Sequence, residues 1–196
     1  MNSLQWAEPV LARHRFRLAV ENHKDQLVAE KLATLKRLSS EYVGLCVDVG
    51  NNLALMEEPL AVVRAFAPWA FTVHLKDHLV REYADGFLLM DVALGDGILN
   101  LPVMIRLLRE AKPDLSFGYE TITRDALRVP VLTDGYWNTF PDRSAPEFAR
   151  SWRWLRDRSS PEPLVTVAKL AEADQMALER SQLKRSLEYA RDKLGL

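Results

Sequence analysis

Four short apolar runs in this chain each end in a residue that can hold a proton or a metal. Phe16 to Val20 runs into Glu21-Asn22-His23, and Val43 to Val47 into Asp48-Val49-Gly50-Asn51. Phe71 to Val73 runs into His74-Leu75-Lys76-Asp77, and Leu115 to Tyr119 into Glu120-Thr121. Glu21, Asp48, His74 and Glu120 are 27, 26 and 46 positions apart, each gap wide enough for a strand, a loop and a helix. A lone acid after a strand is more often a helix cap or a turn residue. Four such endings in succession, with these types, point to a shared site. Three carboxylates and an imidazole at one point repel and are costly to bury unless something compensates them. A divalent cation does so. Oxygen donors with a single imidazole suit Mn²⁺, Mg²⁺ or Co²⁺, and Zn²⁺ accepts the same donors.

The elements that must position these residues are legible as a pattern. Near-continuous apolar runs suit parallel strands covered on both faces. Between them lie segments with apolar residues at helical spacing. These are Lys24 to Leu38, Pro59 to Phe66, and Leu101 to Ala111 with Pro102 in its first turn. Strand alternating with helix is the signature of βα units and a parallel sheet. In a β/α barrel, the C-terminal strand ends face the active site.

Two long intervals read as loops. One runs from Asp77 to Asn100 and holds Gly86 and Gly95-Asp96-Gly97; the other is the turn-rich stretch after Glu120. A short aromatic helix from Glu147 to about Arg156 follows. Trp152, Trp154, Tyr136 and Trp137 are expected to pack in the core or at a barrel mouth. Ser159-Ser160-Pro161-Glu162-Pro163 then breaks the chain. The tail from Leu164 to Leu194 reads as amphipathic helix, with Leu170, Leu178, Leu183, Leu187 and Leu194 as one stripe. The expected domains are therefore 1–158 and a C-terminal helical extension, 159–196.

Composition narrows the classes. The 196 residues carry 26 basic and 27 acidic side chains, a net charge of −1, so the basic excess of a non-specific nucleic-acid binder is missing. Cys46 is the single cysteine, which rules out an internal disulfide framework and suits a reducing compartment. It lies inside a strand and is expected to be buried and unreactive. No apolar run is long enough for a signal peptide or a membrane span. The expected location is the cytoplasm.

The segments LAVENHKD, VGLCVDVGNNLAL, APWAFTVHLKDH and VALGDGILNLP, taken together, resemble the sugar phosphate isomerase/epimerase group of the xylose isomerase-like TIM barrel superfamily. The resemblance runs from about Arg15 to Pro141. It implies that Glu21, Asp48, His74 and Glu120 bind one divalent metal ion. It also implies that Glu21 and Glu120 act as the acid/base pair, moving a proton at a carbon next to a carbonyl. The substrate is then a small carbohydrate, a sugar or sugar phosphate. His23, Asn51, Lys76, Asp77 and Arg124 are expected substrate contacts, with a loop histidine at position 23 and a Lys76–Asp77 ion pair as the plainer alternatives. Apurinic-site endonucleases of the same superfamily carry a ligand histidine where this chain has Asn51. They also need an Asp-x-His pair, and none occurs between Asp77 and Gly95. A nucleic-acid substrate is therefore not expected, and no membrane partner either.

Barrels of this kind need ~250 residues. The four motif strands correspond to about strands 5–8 of the eight. The expected fold class is thus α/β, a partial (β/α)8 TIM barrel with its helices and a C-terminal extension. Its two sheet edges and uncovered apolar face would promote association. The expectation is a homodimer, or pairing with a missing N-terminal half. Catalysis by the chain alone stays open, with a non-catalytic metal- or partner-binding half-barrel as the alternative.

Overall fold

A computed structural model describes residues 2–140 and 143–196. Met1, and Pro141 and Asp142 within the loop read after Glu120, lie outside the described residues. In chain order the elements begin with α1 (Asn2–His14), β1 (Leu18–Glu21), α2 (Val28–Leu38), β2 (Val43–Asp48), α3 (Pro59–Phe66) and β3 (Ala70–Leu75). Then come β4 (Asp77–Tyr83), β5 (Gly86–Val92), α4 (Leu101–Ala111), β6 (Ser116–Tyr119) and β7 (Leu127–Val129). The last are α5 (Asp134–Trp137), α6 (Ala145–Arg156) and α7 (Glu172–Tyr189). The chain divides into two compact units.

The first unit comprises Met1–Leu75 and Pro102–Tyr119. Its sheet has the order β1-β2-β3-β6, with every pair parallel. β2 is buried along its whole length, as its apolar run VGLCV requires. Leu45, Val47 and Val73 of the strands and Val63 and Phe66 of α3 are all without solvent exposure and make up the core of this unit. α3 starts where the sequence says it should. Pro59 fits the first turn, and the Glu58 carboxylate accepts from the N–H groups of Leu60 and Ala61. α2 stops at Ser39, whose left-handed backbone lets its N–H donate to the Leu35 carbonyl.

The second unit comprises Lys76–Leu101 and Glu120–Leu196. It is built on an antiparallel sheet of order β4-β5-β7. This corrects the reading of Asp77 to Asn100 as a loop. Alternating residues and an Ala84-Asp85-Gly86 corner make a hairpin, an Asp-Gly signal masked by the glycines further on. The stretch after Glu120 likewise holds β7 and α5. Met90, Val92 and Val167 form a buried cluster, against which Leu79, Ala126, Leu164 and Leu178 pack.

The tail's leucine stripe does not hold. Leu178 packs and Leu194 is buried, but Leu183 and Leu187 are 45% and 55% exposed. The α7 residues that are buried are polar, Gln182 and Ser186. The aromatic residues pack on one another rather than in a core. The Trp137 and Phe148 rings meet edge to face at 5.1 Å, Phe148 stacks on Trp152 at 6.1 Å, and Trp154 lies under Arg158. Cys46 is buried, as expected. Among the described residues, no helix is long and apolar enough to cross a membrane.

Candidate metal centre

Parallel pairing sets the site. Glu21 is the last residue of β1 and Asp48 the last of β2. His74 lies next to the end of β3 and is Asp48's direct partner across the ladder. Glu120 is bonded directly to Tyr119, the end of β6, which is β3's other neighbour. One ligand atom from each of Glu21, Asp48, His74 and Glu120 lies within 4.8 Å of the others. Asp48 is completely buried, while the other three are partly exposed. His74 Nδ1 stands 3.6 Å from Glu21 Oε1.

The surroundings fix these side chains in place. Asp48 Oδ1 accepts from the backbone N–H groups of Gly50 and Asn51, at 2.9 and 2.7 Å, which locks the carboxylate's orientation. Asn51 is fully buried, and its side-chain amide donates to Glu21 Oε1 at 3.1 Å. Lys24 in turn donates to Asn51 Oδ1. Lys76 pairs with Glu120 at 3.2 Å rather than forming the Asp77 pair offered as an alternative. His23 and Arg124 are exposed, on the segments that follow β1 and β6.

Asp77 is also buried, and backbone donors occupy both of its oxygens. Oδ1 accepts from His78 and Leu99, and Oδ2 from Gly95 and Gly97. The carboxylate thereby holds the 95–99 turn. Burial pushes its pKa from 3.8 up to about 6, against the pull of the four N–H donors. Gly97 is required there, because a Cβ would overlap the Asp77 carboxylate.

Sequence reasoning missed three positioning residues. Asn22 is wholly buried; it donates to the Asp48 carbonyl and to Asn52 Oδ1, and accepts from the Asp48 N–H. Asn52 donates to Glu57, which accepts from Val28 N–H. Buried Lys31 donates to the Glu21 carbonyl. The asparagines after Glu21 and in Asn51-Asn52 were the available signal. Amides next to strand ends can satisfy loop backbone that a sheet cannot.

A family profile described as "Xylose isomerase-like TIM barrel" matches residues 1–158. The chain belongs to the xylose isomerase-like TIM barrel family. One curated relative, the 3-oxo-isoapionate decarboxylase of Pectobacterium atrosepticum, is 26% identical over 103 residues, covering 52% of this chain and 38% of that protein. Two solved members share the fold. The xylose isomerase domain protein of Planctomyces limnophilus is 20% identical with a TM-score of 0.51, over 59% of this chain and 43% of that one. The xylose isomerase-like TIM barrel protein of Mycobacterium smegmatis, solved in complex with magnesium, is 17% identical with a TM-score of 0.54. That match covers 80% of this chain and 49% of the Mycobacterium smegmatis protein. The chain thus spans less than half the length of each. An α/β fold with a parallel sheet is common ground, and the four converging donors fit a divalent ion by their chemistry: one imidazole among hard oxygens.

Proposed function

We propose that this chain is the metal-binding part of a divalent-metal-dependent isomerase or epimerase acting on a sugar or sugar phosphate. The observation that carries the reading is the convergence of Glu21, Asp48, His74 and Glu120 at neighbouring strand ends. Mn²⁺, Mg²⁺ or Co²⁺ is the expected ion, with Zn²⁺ accepting the same ligands. When bound, such an ion supplies positive charge beside the substrate's carbonyl and hydroxyl oxygens. Glu21, held by the Asn51 amide, takes the proton from the carbon next to the carbonyl. Glu120, held by Lys76, returns it. His23, Lys76 and Arg124 bind substrate oxygens, the buried Asn51 acts by holding Glu21, and Asp77 acts by holding the 95–99 turn.

In this reading residues 1–158 form about strands 5–8 of a (β/α)8 barrel, and 159–196 form an extension. A second copy, or an N-terminal half, completes the wall. A monodisperse, active monomer in sedimentation would overturn that part.

The likeness to a decarboxylase favours one second reading. Loss of CO₂ from a 3-oxo acid leaves an electron pair next to a carbonyl, the same charge that proton abstraction leaves. One proton donor then suffices, where an isomerase needs two groups. The test is incubation of Mn²⁺-loaded protein with ketoses in deuterated water. Deuterium uptake at carbon that Glu120→Gln abolishes while metal stays bound supports the isomerase. CO₂ release from 3-oxo sugar acids without exchange into ketoses supports the decarboxylase.

A further inference from the structure

We propose that the C-terminal helix α7 is a positioning element for the segment that carries Glu120, acting through Gln182 and Thr123. The inference rests on the metal-site reading above.

α7 presents one face to the rest of its unit, and from Gln182 onward, beyond the packed Leu178, that face is polar. Gln182, Arg185, Ser186 and Tyr189 recur at spacings of three and four, which places them along one side of the helix. Gln182 is 3% exposed and Ser186 is completely buried, while Leu183 and Leu187 face outward. A helix docked for apolar burial alone would be turned the other way. Burying an amide and a hydroxyl is favourable only when each finds a partner. Each does, one on the segment that follows Glu120 and one on the 94–97 turn. Gln182 Oε1 accepts from the Thr123 hydroxyl at 3.1 Å. Ser186 Oγ accepts from the backbone N–H of Leu94 at 3.0 Å. Arg185 forms an ion pair with Asp96. The Tyr189 ring lies against Gly95, whose φ of +88° and crowding by that ring both exclude a side chain. The face therefore grips the 94–97 turn, which Asp77 holds from its other side.

The Thr123 contact matters most for chemistry. Sheet pairing ends at Tyr119, and residues 120–123 have no regular structure. Lys76 pairs with the Glu120 carboxylate, and the backbone segment that carries it is anchored further along. Thr123 supplies one anchor through Gln182, and Asp125 a second by accepting from Ala168 N–H. Both anchors end in the region beyond residue 158, outside the family match. Gln182 and Thr123 touch neither substrate nor metal; they act through Glu120.

The test uses the full chain with Gln182→Met, Thr123→Val and the conservative Thr123→Ser. Two readouts are taken, amide hydrogen exchange over residues 120–126 without metal and Mn²⁺ affinity by calorimetry. The inference expects faster exchange in that segment for Gln182→Met and Thr123→Val, and roughly tenfold weaker Mn²⁺ binding, the usual size for a residue that orients a ligand. Thr123→Ser keeps the hydroxyl and is expected to restore both. Leu183→Ala, on the outward face, leaves both unchanged. Wild-type exchange in Gln182→Met overturns the inference, as does wild-type affinity with Mn²⁺ bound by the parent. A parent that binds no Mn²⁺ fails the metal reading; faster exchange in the variants would still support the brace.

Discussion

The pH dependence of stability should carry the signature of Asp77. Its carboxyl is buried and titrates at about 6, against 3.8 for an ordinary aspartate. Between those values the folded chain keeps a proton that the unfolded chain releases. The group's stabilising contribution is therefore complete below about pH 4 and is lost as pH rises through 6. The interval is worth ~3 kcal/mol, at about 1.4 kcal/mol per pH unit. Asp77→Asn keeps the shape and cannot titrate. Its offset from wild type at any one pH also includes two backbone N–H groups that lose an acceptor, at about 1–3 kcal/mol each. The slope is free of that offset. Urea unfolding followed by tryptophan fluorescence, with chelator present, should show wild-type stability falling relative to the variant by ~3 kcal/mol from pH 4 to pH 8. A difference that stays flat, or grows with pH, would mean that the four N–H donors outweigh burial. Asp77 would then be ionised throughout, and the reasoning would be refuted.

Other perturbations separate metal binding from scaffold. Asp48→Asn keeps an acceptor for Gly50 and Asn51 but removes the charge, so Mn²⁺ affinity should fall roughly 100-fold or more in calorimetry while the fold persists. Asn22→Ala removes three hydrogen bonds, two to Asp48 at the end of β2 and one to Asn52 beyond it, and should cost about 2–4 kcal/mol in denaturant unfolding. Gly97→Ala forces a methyl into the Asp77 carboxylate and to 2.6 Å from the His78 nitrogen; a Tm several degrees lower is expected in thermal scans. Glu120→Gln should weaken Mn²⁺ binding as a lost carboxylate donor does and, at saturating Mn²⁺, lose solvent exchange into substrate.

The parallel sheet was legible from its apolar runs, most plainly at β2, which is buried along its whole length while β1 and β6 are only partly covered. Val43 to Val47 carries that burial openly in its composition. The four donors were legible for a related reason: each follows such a run, and parallel pairing turns sequence order into spatial neighbourhood. The hairpin was harder. Val80, Phe87 and Leu89 are buried on one face and Met90 and Val92 on the other, while Arg81, Glu82 and Asp85 interrupt the apolar run and blur its period. The orientation of α7 was not legible at all. Leucine spacing suggested one face, but hydrogen bonds to Leu94 and Thr123 select another, and those partners lie 92 and 59 residues away. The asparagine clamps at 22 and 52 were hidden likewise, since their partners meet only once the strands are aligned.

The order of the chain has a consequence for how the protein is made. β3 finds its outer neighbour 44 residues downstream, where Thr72 meets Ser116. At ordinary ribosomal speed, roughly 2–9 s pass between synthesis of the two. During that time the nascent sheet offers an open parallel edge, with His74 on it and Asp48 already paired beside it. Three of the four residues of the candidate metal cluster are then in the growing chain and the fourth is not yet made. A strand edge left open in this way is a template for mispairing until β6 covers it. Slow codons between positions 76 and 115 would lengthen that exposure, and aggregation during synthesis should rise with it.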